Sequence, residues 1–154
     1  MSTPVVRRLL VPIDFSEGSV RALAWARALA RACDAQIVLL HVVDLGATWV
    51  PLSGPAVYPA PVPPSIAAQV ADVARAALEG LEQEAPEVSQ RIVRTGHPRD
   101  VIPEVAREIA ADLIVMGSHS RRGVSRLLIG SVAEHVVRHA PVPVLVVRGE
   151  GLEA

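Results

Sequence analysis

The stretch from Met116 to His135, MGSHSRRGVSRLLIGSVAEH, has the composition of a loop that holds an anion. It contains three glycines, four serines and three arginines, and no acidic residue before Glu134. Backbone N–H groups at turns and helix amino termini bind phosphate oxygens, and glycine lets the backbone come close to them. The stretch therefore predicts a phosphate-binding loop between a strand that ends at Gly117 and a helix that begins at Ser131.

A purely structural explanation of the same residue types stays open. Ser131 stands three residues before Glu134, which is the spacing of a capping box at a helix amino terminus. Asp14, which follows a short apolar run near the start of the chain, stands in the same relation to Glu17. These hydroxyl and carboxylate groups could therefore serve a helix end, a ligand or both.

The basic residues limit the chemistry of the chain. All fifteen are arginine, so the lysine of a G-x-x-x-x-G-K-[ST] loop and Schiff-base catalysis are both excluded. The net charge of −1 gives no general attraction to nucleic acid or to an anionic lipid surface. No segment has the roughly 18 consecutive apolar residues of a membrane span. We expect neither a nucleic-acid partner nor membrane association.

Cysteine and histidine do not indicate a metal site. Cys33 is the only cysteine, so no disulfide can form within the chain, and we expect Cys33 to be a buried apolar residue. Among the five histidines only His135 and His139 have a ligand spacing, and these two are better explained as cations that offset the negative end of a helix. We predict no metal ligands and a reducing, cytoplasmic location.

Strand-like and helix-like segments alternate along the chain. Continuous apolar runs typical of buried parallel strands end near Asp14, Asp44 and Gly117, and another lies at about residues 142–148. EVSQRIVRTG alternates apolar and polar residues, as the edge strand of a sheet does. Helical spacing follows each of the first four strands. The order predicts an α/β fold, a doubly wound five-stranded parallel sheet flanked by four helices. If the sheet begins in the centre and winds outwards first one way and then the other, its strand order is 3-2-1-4-5.

One segment, at about residues 45–64, differs from the rest. It carries six prolines and two of the four aromatic residues, so we predict a surface loop without regular structure. Its length also allows a lid. The whole chain, residues 1–154, is predicted to be a single domain with this one excursion.

The predicted topology brings the candidate residues together. Ligands of doubly wound sheets bind beyond the carboxyl ends of the strands, at the point where the winding reverses. In the predicted order the first and fourth strands are neighbours at that point. Asp14 and Gly117 would then face one crevice.

Over essentially its whole length the sequence resembles the universal stress protein family. Four segments carry the resemblance: LVPIDFSE, LLHVVD, GHPRDVI and MGSHSRRGVSRLLIGSVAEHVVRHAPVPVLVVR. Nucleotide-binding members of that family have the loop G-x2-G-x9-G-[ST]. Gly117, Gly130 and Ser131 match its first and last places, and Ser120 stands where the second glycine would be.

The resemblance implies a Rossmann-like fold of the adenine nucleotide alpha hydrolase type. It also implies that ATP, with Mg²⁺ carried mainly by the phosphates, binds in the crevice between the first and fourth strands. By the same resemblance Asp14 approaches the ribose and the phosphates, Pro12 and Ile13 lie beside the base, and the main chain of Val42 recognises adenine. The remaining residues implied at the ligand are Met116, Gly117, Ser120, Arg121, Gly130, Ser131 and Val132.

Ser120 decides how well the phosphates are held. If the family's glycine has a positive φ, serine costs about 1 kcal/mol of strain there. The hydroxyl of Ser120 could instead donate to a phosphate oxygen, with Arg121 adding positive charge. Two functions follow: a regulatory protein that binds ATP, or a nucleotide-free interaction module of the same family.

The resemblance further implies a homodimer. The apolar edge strand at about residues 142–148 would pair with its copy. The protein would act in the cytoplasmic stress response through protein partners whose identity is unknown. Apart from His119 the loop offers no general base, so we predict no enzyme beyond slow ATP hydrolysis at most. The missing lysine argues in the same direction against an adenylating ligase.

Overall fold

A five-stranded parallel sheet with helices on both faces forms the body of the protein. The computed structural model describes residues 5–46, 48–51, 57–60, 62–81, 85–118 and 129–148. Within these residues the strands are β1 (Arg8–Pro12), β2 (Gln36–Val43), β3 (Thr48–Pro51), β4 (Val57–Ala60), β5 (Val88–Thr95), β6 (Leu113–Gly117) and β7 (Val144–Val147). The helices are α1 (Glu17–Cys33), α2 (Pro64–Gly80), α3 (Pro98–Glu108) and α4 (Ser131–His139).

The strand order of the main sheet is β5-β2-β1-β6-β7. In terms of its own five strands this is the order 3-2-1-4-5, so the predicted doubly wound topology is confirmed. The central strand β1 pairs in parallel with β2 on one side and with β6 on the other, and Leu10 is in register with Val38 and Ile114. The winding reverses between β1 and β6, and β5 lies at an edge as its alternating sequence predicts.

Successive side chains of β1 enter two different cores, because side chains alternate across a sheet. Leu9 and Val11 pack on one face beneath α1 and α2. Leu10 packs on the other face with Val105 of α3 and Val136 of α4. The central strands are therefore apolar on both faces, which explains their continuous runs of Leu, Ile and Val. None of the helices in the described ranges is long and apolar enough to cross a bilayer.

The prediction of no regular structure at about residues 45–64 is wrong. The backbones of β3 and β4 pair antiparallel there, with Trp49 opposite Pro59 and Pro51 opposite Val57. Proline interrupts a sheet because it lacks a backbone donor. In a two-stranded sheet each strand has one unpaired edge, so prolines whose missing N–H faces that edge are tolerated.

The expectation that Cys33 is buried is also wrong, because Cys33 is exposed. The helix ends at this residue, and Asp34 takes a left-handed conformation with a φ of 54° that turns the chain back toward the sheet. The N–H of Ala35 then donates to the Ala30 carbonyl at 2.9 Å. Ala35, rather than Cys33, is the buried residue at this end of the helix.

Candidate functional site

A cleft opens at the carboxyl ends of β1 and β6, where the winding reverses. Its empty space is about 670 Å³, which includes space open to solvent. The ends of three strands and the first turns of three helices form its walls. Its lining residues are Pro12, Ile13, Asp14, Ser19, Leu40, Val42, Pro98, Ile102, Met116, Gly117, Ser118, Gly130, Ser131, Val132 and Ala133.

Most of the site residues predicted from the sequence meet in this one cleft. Nine of them line it: Pro12, Ile13, Asp14, Val42, Met116, Gly117, Gly130, Ser131 and Val132. The other two, Ser120 and Arg121, lie outside the described residues. Pro98 and Ile102 were not among the predicted site residues, and they reach the cleft from the first half of α3. Their place follows only from the packing of α3 on the same face of the sheet as α4.

Asp14 supports the start of α1 without being its cap. Ser16 is the N-cap, and its Oγ accepts from the N–H of Ser19 at 3.2 Å. The Oδ1 of Asp14 accepts from the N–H of Ser16 at 3.0 Å and from its hydroxyl at 2.5 Å. The capping pair of Asp14 with Glu17 considered above is therefore wrong, and Glu17 pairs instead with Arg21 at 3.1 Å.

The second oxygen of the Asp14 carboxylate remains available. Both hydrogen bonds to this side chain use Oδ1, and among the described residues none reaches Oδ2. Since Asp14 lines the cleft, Oδ2 can accept a hydrogen bond from a ligand hydroxyl.

Gly117 is required by packing before any ligand is considered. A Cβ at this position would lie 2.8 Å from the backbone carbon of Gly18 and 2.9 Å from its oxygen. Real Cβ atoms do not come so close to backbone atoms, so the end of β6 can approach the first turn of α1 this closely only with glycine at position 117. This contact draws the helix start and the strand end to the same side of the cleft.

The amino terminus of α4 differs from the one predicted. Gly130 is the N-cap, in an extended conformation with φ −63° and ψ 153°, and its N–H donates to the Ser118 carbonyl at 2.7 Å. Ser131 is the first helical residue, so the capping box with Glu134 is wrong. The Glu134 carboxylate pairs with Arg138 at 3.1 Å.

The first turn of α4 therefore offers backbone donors to the cleft. The N–H groups of Ser131, Val132 and Ala133 have no acceptor within the helix, as at every helix amino terminus. Gly130 has no side chain that could accept from them. All three residues line the cleft, and the positive end of the helix dipole favours an anion there.

The rest of the cleft is mainly apolar. Four apolar side chains of the lining are at most 5% exposed: Ile13, Leu40, Ile102 and Met116. They form an apolar wall beside the polar groups of Asp14 and α4. A ligand with an apolar ring and an anionic group matches this division.

The described residues include no group of three or more His, Cys, Asp or Glu that could hold a metal ion. The His135 and His139 rings stack with their centroids 4.0 Å apart in the last turn of α4. A ring nitrogen of His139 lies 2.8 Å from the His135 carbonyl oxygen. The pair thus lies at the carboxyl end of the helix, where donors and cations are favoured.

Comparison with known proteins identifies the family. The model of the universal stress protein family matches residues 6–148. A universal stress protein of Staphylococcus aureus (strain USA300) is 34% identical over 153 residues, which cover 96% of this chain and 87% of that protein. The structure of the universal stress protein UspA from Lactobacillus plantarum is 26% identical, with a TM-score of 0.69 over 95% of this chain and 100% of that one. A crystal structure of a universal stress protein in complex with cAMP is 25% identical, with a TM-score of 0.59 over 94% and 98% of the two chains. This chain belongs to the universal stress protein family.

Proposed function

We propose that this protein binds ATP with Mg²⁺ in the cleft between β1 and β6 and acts as a regulatory homodimer in the cytoplasmic stress response. One observation carries the proposal: the first turn of α4, whose N-cap Gly130 has no side chain, opens on a largely apolar cleft that also contains Asp14. The complex of a related universal stress protein with cAMP supports an adenine nucleotide as the class of ligand.

The phosphates lie at α4 in this proposal. The N–H groups of Ser131, Val132 and Ala133 donate to phosphate oxygens, and the helix dipole adds to the attraction. Ser120 and Arg121 belong to the segment that connects β6 with α4, and we propose that they complete the phosphate site. Mg²⁺ is held by the phosphate oxygens, because Asp14 is the only carboxylate among the described residues of the cleft.

The adenosine part lies along the apolar wall. Pro12, Ile13 and Met116 contact the base, and the main chain of Val42 provides the polar groups that recognise its edge. The Oδ2 of Asp14 accepts from a ribose hydroxyl. The proposed role is binding and regulation rather than efficient hydrolysis, because His119, which lies outside the described residues, is the one candidate general base of the loop.

The proposed homodimer forms through β7. This strand lies at an edge of the sheet, and its residues Val144, Leu145 and Val146 are only partly buried. An apolar edge strand exposes unpaired backbone groups that a second copy can satisfy. The dimer contact would span residues 142–148, and light scattering at micromolar protein concentration measures it directly.

The test of nucleotide binding uses the cap position of α4. Gly130→Asp places a carboxylate where the phosphates would lie, and aspartate is a good N-cap in the extended conformation seen there. We expect calorimetry to show saturable binding of Mg-ATP to the wild type. We expect affinity to fall on the order of 100-fold in Gly130→Asp, without loss of stability.

Gly130→Asn is the matched control, since asparagine has almost the same shape and no charge. Its side chain also accepts from the first-turn N–H groups but adds no negative charge, so it should lose clearly less affinity than Gly130→Asp. Absence of binding by the wild type at millimolar ATP would overturn the proposal and leave the nucleotide-free interaction module. ATP turnover well above background would overturn the proposal that the protein binds ATP for regulation rather than hydrolysing it efficiently.

A further inference from the structure

The turn between β1 and α1 has an unusual backbone conformation. Phe15, which directly follows Asp14, has a φ of 61°. Bulky L-residues rarely adopt this left-handed conformation, and it persists where the surrounding structure holds it. Something outside the turn must therefore hold the residues on either side of Asp14.

His41 on β2 makes both of the contacts needed. Its Nδ1 lies 2.7 Å from the carbonyl oxygen of Ile13. Because a carbonyl oxygen can only accept, Nδ1 carries the proton and donates it. The His41 ring also contacts the Phe15 ring, with centroids 4.9 Å apart and planes inclined by 44°. One side chain thus holds the residue before Asp14 and the residue after it.

The remaining contacts of the turn lie on its other sides. The N–H of Ile13 donates to the Leu40 carbonyl at 2.8 Å, which continues the pairing of β1 with β2. Ser16 holds Oδ1 of Asp14 from the helix side. Ile13 and Asp14 line the cleft, whereas His41 and Phe15 do not. Any effect of His41 on a ligand is therefore indirect.

We infer that His41 is a positioning residue: by holding Ile13 and Phe15 it directs the Asp14 carboxylate into the cleft. Its effect on ligand affinity depends on the proposed nucleotide function. Its effect on the turn does not, because the turn can be measured in the protein without ligand.

The first experiment measures amide hydrogen exchange in the ligand-free protein. His41→Phe keeps a ring beside Phe15 and removes the donor to Ile13, so the Ser16 amide should exchange about tenfold faster than in the wild type. His41→Asn restores a nitrogen at the same number of bonds from Cβ but has no ring for Phe15, so exchange should return part of the way to the wild-type rate. His139→Phe, at the exposed end of α4, is the control and should change nothing at Ser16. Unchanged Ser16 exchange in His41→Phe would overturn the inference.

The second experiment is a double-mutant cycle on the Mg-ATP dissociation constant. His41→Phe and Asp14→Asn should each weaken binding about tenfold, and the double variant should be no weaker than Asp14→Asn within about twofold. A fully additive loss would mean that His41 acts on the fold in general and would overturn the inference. If the wild type binds no ATP while the exchange result holds, the proposed function fails and the positioning role of His41 in the turn stands.

Discussion

The first turns of α1 and α4 face the same cleft, but a side chain accepts from the backbone donors of α1 and none at the cap position accepts from those of α4. At α1, Ser16 caps the helix and Asp14 in turn binds Ser16. At α4 the N-cap is Gly130, which offers no side chain. A helix start that is satisfied by its own residues contributes stability, whereas one left open to a cleft can bind an anion. The two helix starts therefore differ in how many backbone donors their own residues leave unsatisfied.

The largest expected effect falls on the contact that joins these two regions. Gly117→Ala places a methyl group against the Gly18 backbone at 2.8 Å, so α1 and β6 must move apart. We expect a loss of about 2–4 kcal/mol in the free energy of unfolding, measured by urea denaturation. Gly80→Ala, which has no atom within 4 Å of the new Cβ, should be neutral or slightly stabilising. Equal stability of both variants would show that the two backbones do not depend on this close approach.

An intermediate effect should separate the two helix starts themselves. Ser16→Ala removes the cap of α1 and should cost about 1 kcal/mol of stability. Ser131→Ala changes the first helical residue of α4, whose side chain is not the cap, and should change stability by less than about 0.5 kcal/mol. Thermal and urea unfolding of the two variants side by side measure the difference. A larger loss of stability in Ser131→Ala than in Ser16→Ala would contradict the assignment of Ser16 as the cap of α1 and Gly130 as the cap of α4.

The smallest expected effect on stability is at the carboxyl end of α1, where Arg31 contacts Glu87. Arg31 donates a hydrogen bond to Glu87, and this contact holds the pKa of the Glu87 carboxyl below its usual 4.5. A carboxyl group whose pKa is lower in the folded state stabilises the protein at pH values above its unfolded pKa. This stabilisation is lost as the pH falls through the folded pKa. The stability difference between the wild type and Glu87→Gln should therefore be largest near neutral pH and shrink below pH 4.5.

Urea unfolding of both proteins from pH 7 to pH 3 measures this difference. A difference that grows as the pH falls would contradict the assigned contact. At the carboxyl end of α4, by contrast, Arg138 pairs with Glu134 of its own helix at 3.1 Å, and the rings of His135 and His139 stack.

The course of the sheet and the place of the cleft could be predicted from sequence because both follow from patterns along the chain. Continuous apolar runs mark strands buried on both faces, and right-handed connections then leave few possible strand orders. The two capping pairs could not be predicted in the same way. Spacing made Asp14 and Ser131 equally good caps, but the φ of 61° at Phe15 delays α1 until after Ser16, and Gly130 takes the cap position of α4.

The alternation of apolar runs with helical repeats by itself determined the doubly wound sheet, the edge position of β5 and the approach of Asp14 to Gly117. Only the tertiary structure decided which helix start is capped, that Cys33 is exposed, and that His41 reaches the Asp14 turn from a neighbouring strand. The reason is physical: hydrophobic periodicity is written into local sequence, whereas the partner of a polar group depends on which distant backbone lies within about 3 Å of it.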